Sequence, residues 1–126
     1  MTLVLDAGAL IALERNDRAM WRRLKAALLR NEIPVTHGGV VGQAWRGRGP
    51  RSTLLSLALA GIDVRAVDES LGKRSGELLR RAKMIDVIDA ALVLLSADGD
   101  TIATSDPYDL KHLAHVAGRL IDLLQV

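Results

Sequence analysis

The chain has no cysteine and no phenylalanine, and two tryptophans and one tyrosine are its only large aromatics. Without cysteine there can be no disulfide, no thiolate-bound zinc and no cysteine nucleophile, a composition compatible with a reducing compartment. With so few rings the core must be built from Leu, Val, Ile and Ala, and stacking on bases has only Trp21, Trp45 and Tyr108 to draw on. The apolar run Met1–Leu13 lacks a basic leader and contains Asp6, so it does not read as a signal peptide. No stretch reaches the roughly 18 uncharged apolar residues of a spanning helix. A soluble, cytoplasmic protein without membrane contact is therefore expected.

A further absence is local. Between Met84 and Leu110 there is no Lys or Arg, yet six aspartates fall there: Asp86, Asp89, Asp98, Asp100, Asp106 and Asp109. Elsewhere the chain is basic enough to leave a formal net charge of +2. Like charges gathered without counter-charge oppose folding by self-repulsion. A divalent cation with carboxylate oxygens as ligands relieves that repulsion if several converge. The segment Arg15–Arg51 is the converse, with nine basic residues against Asp17 and Glu32. An acidic centre beside a basic flank suits a metal enzyme acting on a polyanion.

At 126 residues the chain is expected to form one domain, residues 1–126, with a real core. The wholly apolar run Thr2–Leu5 suits a strand buried on both faces, and a helix follows it to Glu14. Asp17 caps a second helix with Trp21, Leu24, Leu28 and Leu29 on one stripe. Ile33–Thr36 reads as the second strand, His37-Gly38-Gly39 as a turn, and Val40–Trp45 as a helix. The stretch 47–51 is expected to be a loop, and Thr53–Ala60 another helix. Ile62–Val67 alternates as a strand. Asp68 or Ser70 caps a long helix to Met84, and Asp86–Ala97 forms an apolar one. Thr101–Thr104 and Leu120–Leu124 complete five strands. Strands alternating with helices argue for an α/β fold, a Rossmann-like, mostly parallel sheet flanked by helices.

In such sheets functional groups collect beyond the carboxyl ends of the strands. Asp6 directly follows the first strand and Asp106 the fourth. Asp86 and Asp89, three apart, share a helix face. Asp106 precedes Pro107, so it is a candidate N-cap with Asp109 at the same helix end. Single aspartates at such places can be plain caps or dipole partners, and Asp98 and Asp100 are assigned to turn chemistry around Gly99. Asp89 among Val87, Ile88, Ala90 and Leu92, and Asp6 between an apolar strand and an apolar helix, are costly without a partner. Those two are the strongest candidates. His112 and His115 read as structural; His37 is within possible reach of the rim.

Three blocks carry a resemblance: Leu5-Asp6-Ala7-Gly8-Ala9-Leu10-Ile11-Ala12-Leu13, Asp86-Val87-Ile88-Asp89-Ala90-Ala91-Leu92 and Thr104-Ser105-Asp106-Pro107-Tyr108-Asp109-Leu110. Together, and in this order and spacing along the whole chain, they resemble the PIN domain, in particular the VapC toxins of bacterial toxin–antitoxin pairs. The resemblance implies a Mg²⁺- or Mn²⁺-dependent ribonuclease, a homodimer, and inhibition by a cognate VapB-type antitoxin. It places Asp6, Asp89 and Asp106 at the catalytic metal site, with Asp86 and Asp109 as neighbouring ligands. The family's Glu on the helix after the second strand is replaced by Gln43, which can ligate through oxygen or orient a water but removes one negative charge. Arg46, Arg48 and Arg51 are candidates for gripping the RNA backbone. The competing reading is a catalytically weakened RNA- or partner-binding module of the same fold. An aspartate phosphatase is disfavoured because Gly8 stands where its second Asp would be, and a receiver domain because no Lys lies in the late acidic segment.

Overall fold

The computed structural model describes all residues from Met1 to Val126. Its first element is the strand β1, Leu3–Leu5, buried along its whole length. Such a strand needs apolar neighbours on both faces and a hydrogen-bonded partner on both edges, and β1 has all four. It pairs in parallel with β2 (Val35–His37), aligning Val4 with Val35. On its other edge it pairs with β4 (Thr101–Thr104), aligning Val4 with Ile102. Beyond these lie β3 (Asp63–Arg65) and β5 (Asp122–Gln125), giving the order β3-β2-β1-β4-β5, parallel throughout.

Helices make every crossover. The helices α1 (Ala7–Glu14), α2 (Arg18–Leu29), α3 (Gly38–Ala44) and α4 (Gly49–Leu59) form one group, with α1 packed against the other three. The second group, α5 (Glu69–Ala82), α6 (Val87–Leu95) and α7 (Pro107–Ala117), packs on itself. Each start is chemically marked. Asp6, Asp17, Asp68, Asp86 and Asp106 cap α1, α2, α5, α6 and α7 through side-chain oxygens bonded to backbone N–H groups. The core between the layers is aliphatic: Leu10, Leu13, Leu55, Leu78, Leu92, Ile102 and Leu113 are fully buried. The shortage of rings is thus met by branched side chains.

Two local expectations are corrected. His37-Gly38-Gly39 is not a free turn: α3 starts at Gly38, directly after β2, with His37 as its N-cap. The 47–51 loop is shorter than expected, because α4 starts at Gly49 with Pro50 in its first turn, where a missing N–H costs nothing. Arg51 consequently stands on a helix. The outer strand β3 is exposed at all three residues and carries an Asp63–Arg65 ion pair of 3.1 Å, a charged edge that discourages further strand pairing.

The chain runs outward from β1 through β2 to β3, then returns to add β4 on the opposite side of β1. The reversal lies between β1 and β4, so the connections leaving these two strands diverge towards opposite layers. The carboxyl ends of two such strands are the usual ligand position in open parallel sheets.

Candidate functional site

Asp6 stands at the end of β1 and Asp106 two residues beyond β4, so both belong to the carboxyl edge of the sheet. Asp6 uses both oxygens: Oδ1 accepts the Ala7 N–H at 2.7 Å, and Oδ2 accepts the Thr104 hydroxyl at 2.8 Å. Thr104 Oγ1 in turn accepts the Asp106 N–H at 3.1 Å. One fully buried hydroxyl therefore ties the two strand ends together and fixes Asp6 relative to the turn carrying Asp106. Gly8 makes the close approach possible: a Cβ there would lie 2.4 Å from Ser105 Oγ and 2.7 Å from its backbone nitrogen.

The third contribution comes from α6. Asp86 caps it, with Oδ1 accepting from Ile88 N–H at 2.9 Å and Asp89 N–H at 3.2 Å. Asp89 follows in the first turn, half-buried. Its carboxyl is pushed up to about 7, first by burial and then by the charges of Asp86, Asp6, Asp109 and Asp106. The structure therefore brings all five sequence candidates close enough for the other four to act on Asp89. None of the five takes part in an ion pair; the pairs present are Arg30–Glu32, Asp63–Arg65 and Glu69–Lys73. The N-termini of α1, α6 and α7 supply the local positive potential.

The donor set is that of a hard cation: oxygen only, concentrated negative charge, no cationic neighbour. Asp89 and Asp109 accept no hydrogen bond, and Asp86 and Asp106 each use one oxygen for capping, so free oxygens remain. No three of them are already drawn together as ligands around one point. The group lies on an open rim, because none of the surface clefts is lined by any of these five residues.

Gln43 is exposed near the end of α3, and that helix carries no carboxylate. Arg46 and Arg48 occupy the α3–α4 junction and Arg51 the first turn of α4, all exposed. Arg46 folds back onto the carbonyls of Gly42 and Trp45, at 3.2 and 2.8 Å. Asp98 and Asp100 stay out of the cluster. Asp98 accepts the Leu120 N–H at 2.8 Å, and buried Asp100 binds the N–H groups of Thr2 and Ala97, each at 2.8 Å.

His37 does not reach the rim. It is fully buried, with Nε2 2.9 Å from the Ile88 carbonyl and Nδ1 accepting the Gly39 N–H at 3.1 Å. Sequence reasoning gave no role to Thr104 or to this bridge. The one available signal was a hydroxyl and an imidazole closing otherwise apolar strands.

No sequence-family model matches the chain, and no curated protein matches it by sequence. Its fold is similar to that of a chain in the crystal structure of VapBC2 from Rickettsia felis bound to a DNA fragment from their promoter. The TM-score is 0.71, with 98% of each chain covered and 13% of residues identical. The fold is PIN-like. At that identity the likeness establishes architecture, and residue roles rest on the geometry above. No helix of the PIN-like domain is long and apolar enough to cross a membrane.

Proposed function

We propose that the chain is a Mg²⁺- or Mn²⁺-dependent endoribonuclease, the cytoplasmic toxin of a type II toxin–antitoxin pair. The observation that carries this reading is Asp89, held half-buried among four carboxylates with no counter-charge. A structural role would put a cation beside it or an amide in its place. Asp6, Asp89 and Asp106 would hold the ion, with Asp86 and Asp109 beside them. A bound divalent ion would supply an acidified water and neutralise charge developing on the phosphoryl group.

The protein's own part is geometric. Thr104 orients Asp6 through Oδ2, and the Asp86 cap fixes the first turn of α6 that presents Asp89. Arg46, Arg48 and Arg51 offer positive charge for the RNA backbone, which holds a strand without reading it. A homodimer and a VapB-type antitoxin belong to the same proposal. Leu29, Ile33 and Leu57 leave exposed apolar surface on α2, β2's approach and α4. Arg18, Trp21, Arg22 and Lys25 line a cleft of about 430 Å³ with Leu54.

Total RNA incubated with the purified chain in Mg²⁺ or Mn²⁺, with new ends mapped, tests the proposal. Discrete cuts are expected, abolished by chelation and by Asp6→Asn or Asp89→Asn. A second reading, an RNA- or partner-binding module, is favoured by one observation: Gln43 leaves α3 without a carboxylate. Intact RNA in both metals, with folded protein that still binds it, would select that reading.

A further inference from the structure

The largest cleft in the molecule is not among the carboxylates but beside them. It has a volume of about 650 Å³, lies between the end of α5 and the face of α7, and is lined by Lys83, Met84, Tyr108, Lys111, His112 and His115. No carboxylate lines it. It adjoins the acidic rim through the chain itself: Tyr108 lies between Asp106 and Asp109, and Met84 two residues before Asp86. We propose that this cleft holds a nucleotide of the single-stranded RNA whose neighbouring phosphodiester lies over the acidic rim. This rests on the nuclease reading above and names a substrate subsite for it.

Three observations argue for that occupant. The volume suits a nucleotide-sized ligand. Tyr108 is 80% exposed, the most open aromatic ring of a chain that has only three. A free ring beside cations is the usual platform for an unpaired base. The cations themselves are unengaged: neither Lys83 nor Lys111 takes part in an ion pair.

Lys83 is also expensive where it stands. It ends α5 in the left-handed region, at φ 57°. Glycine or asparagine is the ordinary choice for that conformation, and this chain uses asparagine at Asn16 and Asn31. The Lys83 side chain at that position is exposed and makes no ion pair. His112 steadies the cleft floor, with Nε2 3.1 Å from the Ala82 carbonyl at the end of α5. A polyanion approaching five carboxylates needs cationic holds nearby, and this cleft supplies them from α5 and α7, separate from the arginines that follow α3.

The test uses a short fluorescein-labelled, mixed-sequence single-stranded oligoribonucleotide, titrated by anisotropy in chelator and in Ca²⁺ at several salt concentrations. Tyr108→Ala is expected to weaken binding roughly tenfold. The pair Lys83→Asn and Lys111→Ala should make the slope of log K against log salt shallower by roughly 0.7 for each lysine. Lys83→Asn keeps the left-handed cap, and Tyr108 is too exposed for its loss to unfold the domain. Lys73→Ala, at the far end of α5 and paired with Glu69, serves as the surface control. Photo-crosslinks from 4-thiouridine in the same strand should fall on the peptide containing Tyr108. Variants that bind like the parent, or crosslinks confined to residues 46–51, overturn the subsite while leaving the nuclease reading intact. A parent chain that binds RNA in neither condition overturns both.

Discussion

The His37 imidazole donates from Nε2 to the carbonyl of Ile88, 2.9 Å away, across 51 residues of chain. Because Nδ1 accepts the Gly39 N–H, Nε2 is the donor nitrogen, and the tautomer is set by the ring's neighbours. One side chain thus caps α3 and pins the first turn of α6, the turn that presents Asp89. The packing leaves no slack: a Cβ on Gly39 would lie 2.9 Å from the imidazole and 3.2 Å from Ile88 Cγ1.

His37→Ala should therefore destabilise the domain by about 2–4 kcal/mol, through a cavity and an abandoned cap. His37→Asn retains a capping oxygen but does not span the distance to α6, so it should lose less stability. Urea unfolding orders the two variants. Faster amide exchange in the first turn of α6 for both would show that the bridge holds that turn.

Asp89 gives the protein a pH-dependent stability of a definite sign. Its carboxyl titrates near 7 in the folded protein against an ordinary value of 3.8. Between those values the folded state keeps a proton that the unfolded chain has released, so stability falls as pH rises through that window. Without metal, Asp89→Asn should be more stable than the parent at pH 8 by about 1–2 kcal/mol, after allowance for solvent screening of a half-buried group. At pH 4 the two should be nearly equal. Millimolar Mg²⁺ or Mn²⁺ should raise the melting temperature of the parent and leave that of Asp89→Asn almost unchanged. Thermal melts with and without chelator decide this, and a parent chain indifferent to metal would remove the basis of the nuclease reading.

Thr104→Val keeps the shape of a buried side chain and deletes its hydroxyl. It strands Asp6 Oδ2 and the Asp106 N–H, so it should cost about 1–3 kcal/mol of stability. RNA cleavage should fall further than the unfolded fraction accounts for, because Asp6 and Asp106 lose their common reference point. Thr104→Ser should restore most of both. Urea midpoints and cleavage rates measured on the same preparations separate the two effects.

Gln43→Glu adds a carboxylate to α3 at an exposed position and should alter stability by no more than about 0.5 kcal/mol. Half-maximal cleavage is expected at a lower Mg²⁺ concentration than for the parent. An unchanged metal requirement would mean that α3 stands too far from the ion to take part.

Much of the fold was legible because its local signals agree. Apolar runs ending at Asp6 and Asp106, caps at Asp17, Asp68 and Asp86, and Pro107 at a helix start each describe a few adjacent residues, and the structure follows them. The errors fell where tertiary contacts override local pattern. Gly38 and Gly39 read as a turn, yet the His37 cap and the packing on Ile88 make them the first turn of α3. The arginine–glycine stretch before Thr53 read as loop, yet Gly49 and Pro50 begin α4.

The sequence by itself determined the strands and most of the helices, the aliphatic character of the core, and the presence of uncompensated aspartates in one segment. Periodicity, capping and charge are properties of neighbours along the chain. Tertiary structure alone decided the strand order β3-β2-β1-β4-β5, and with it the meeting of Thr104 and Asp6 across 98 residues. It also decided that Asp100 receives the N–H of Thr2 and Asp98 that of Leu120, partners far away along the chain. The pairing of parallel strands depends on which helices cover which face, and that is fixed by packing between distant segments. The upward shift of the Asp89 carboxyl follows from the same cause, since burial and the fields of four other carboxylates exist only once those segments have met.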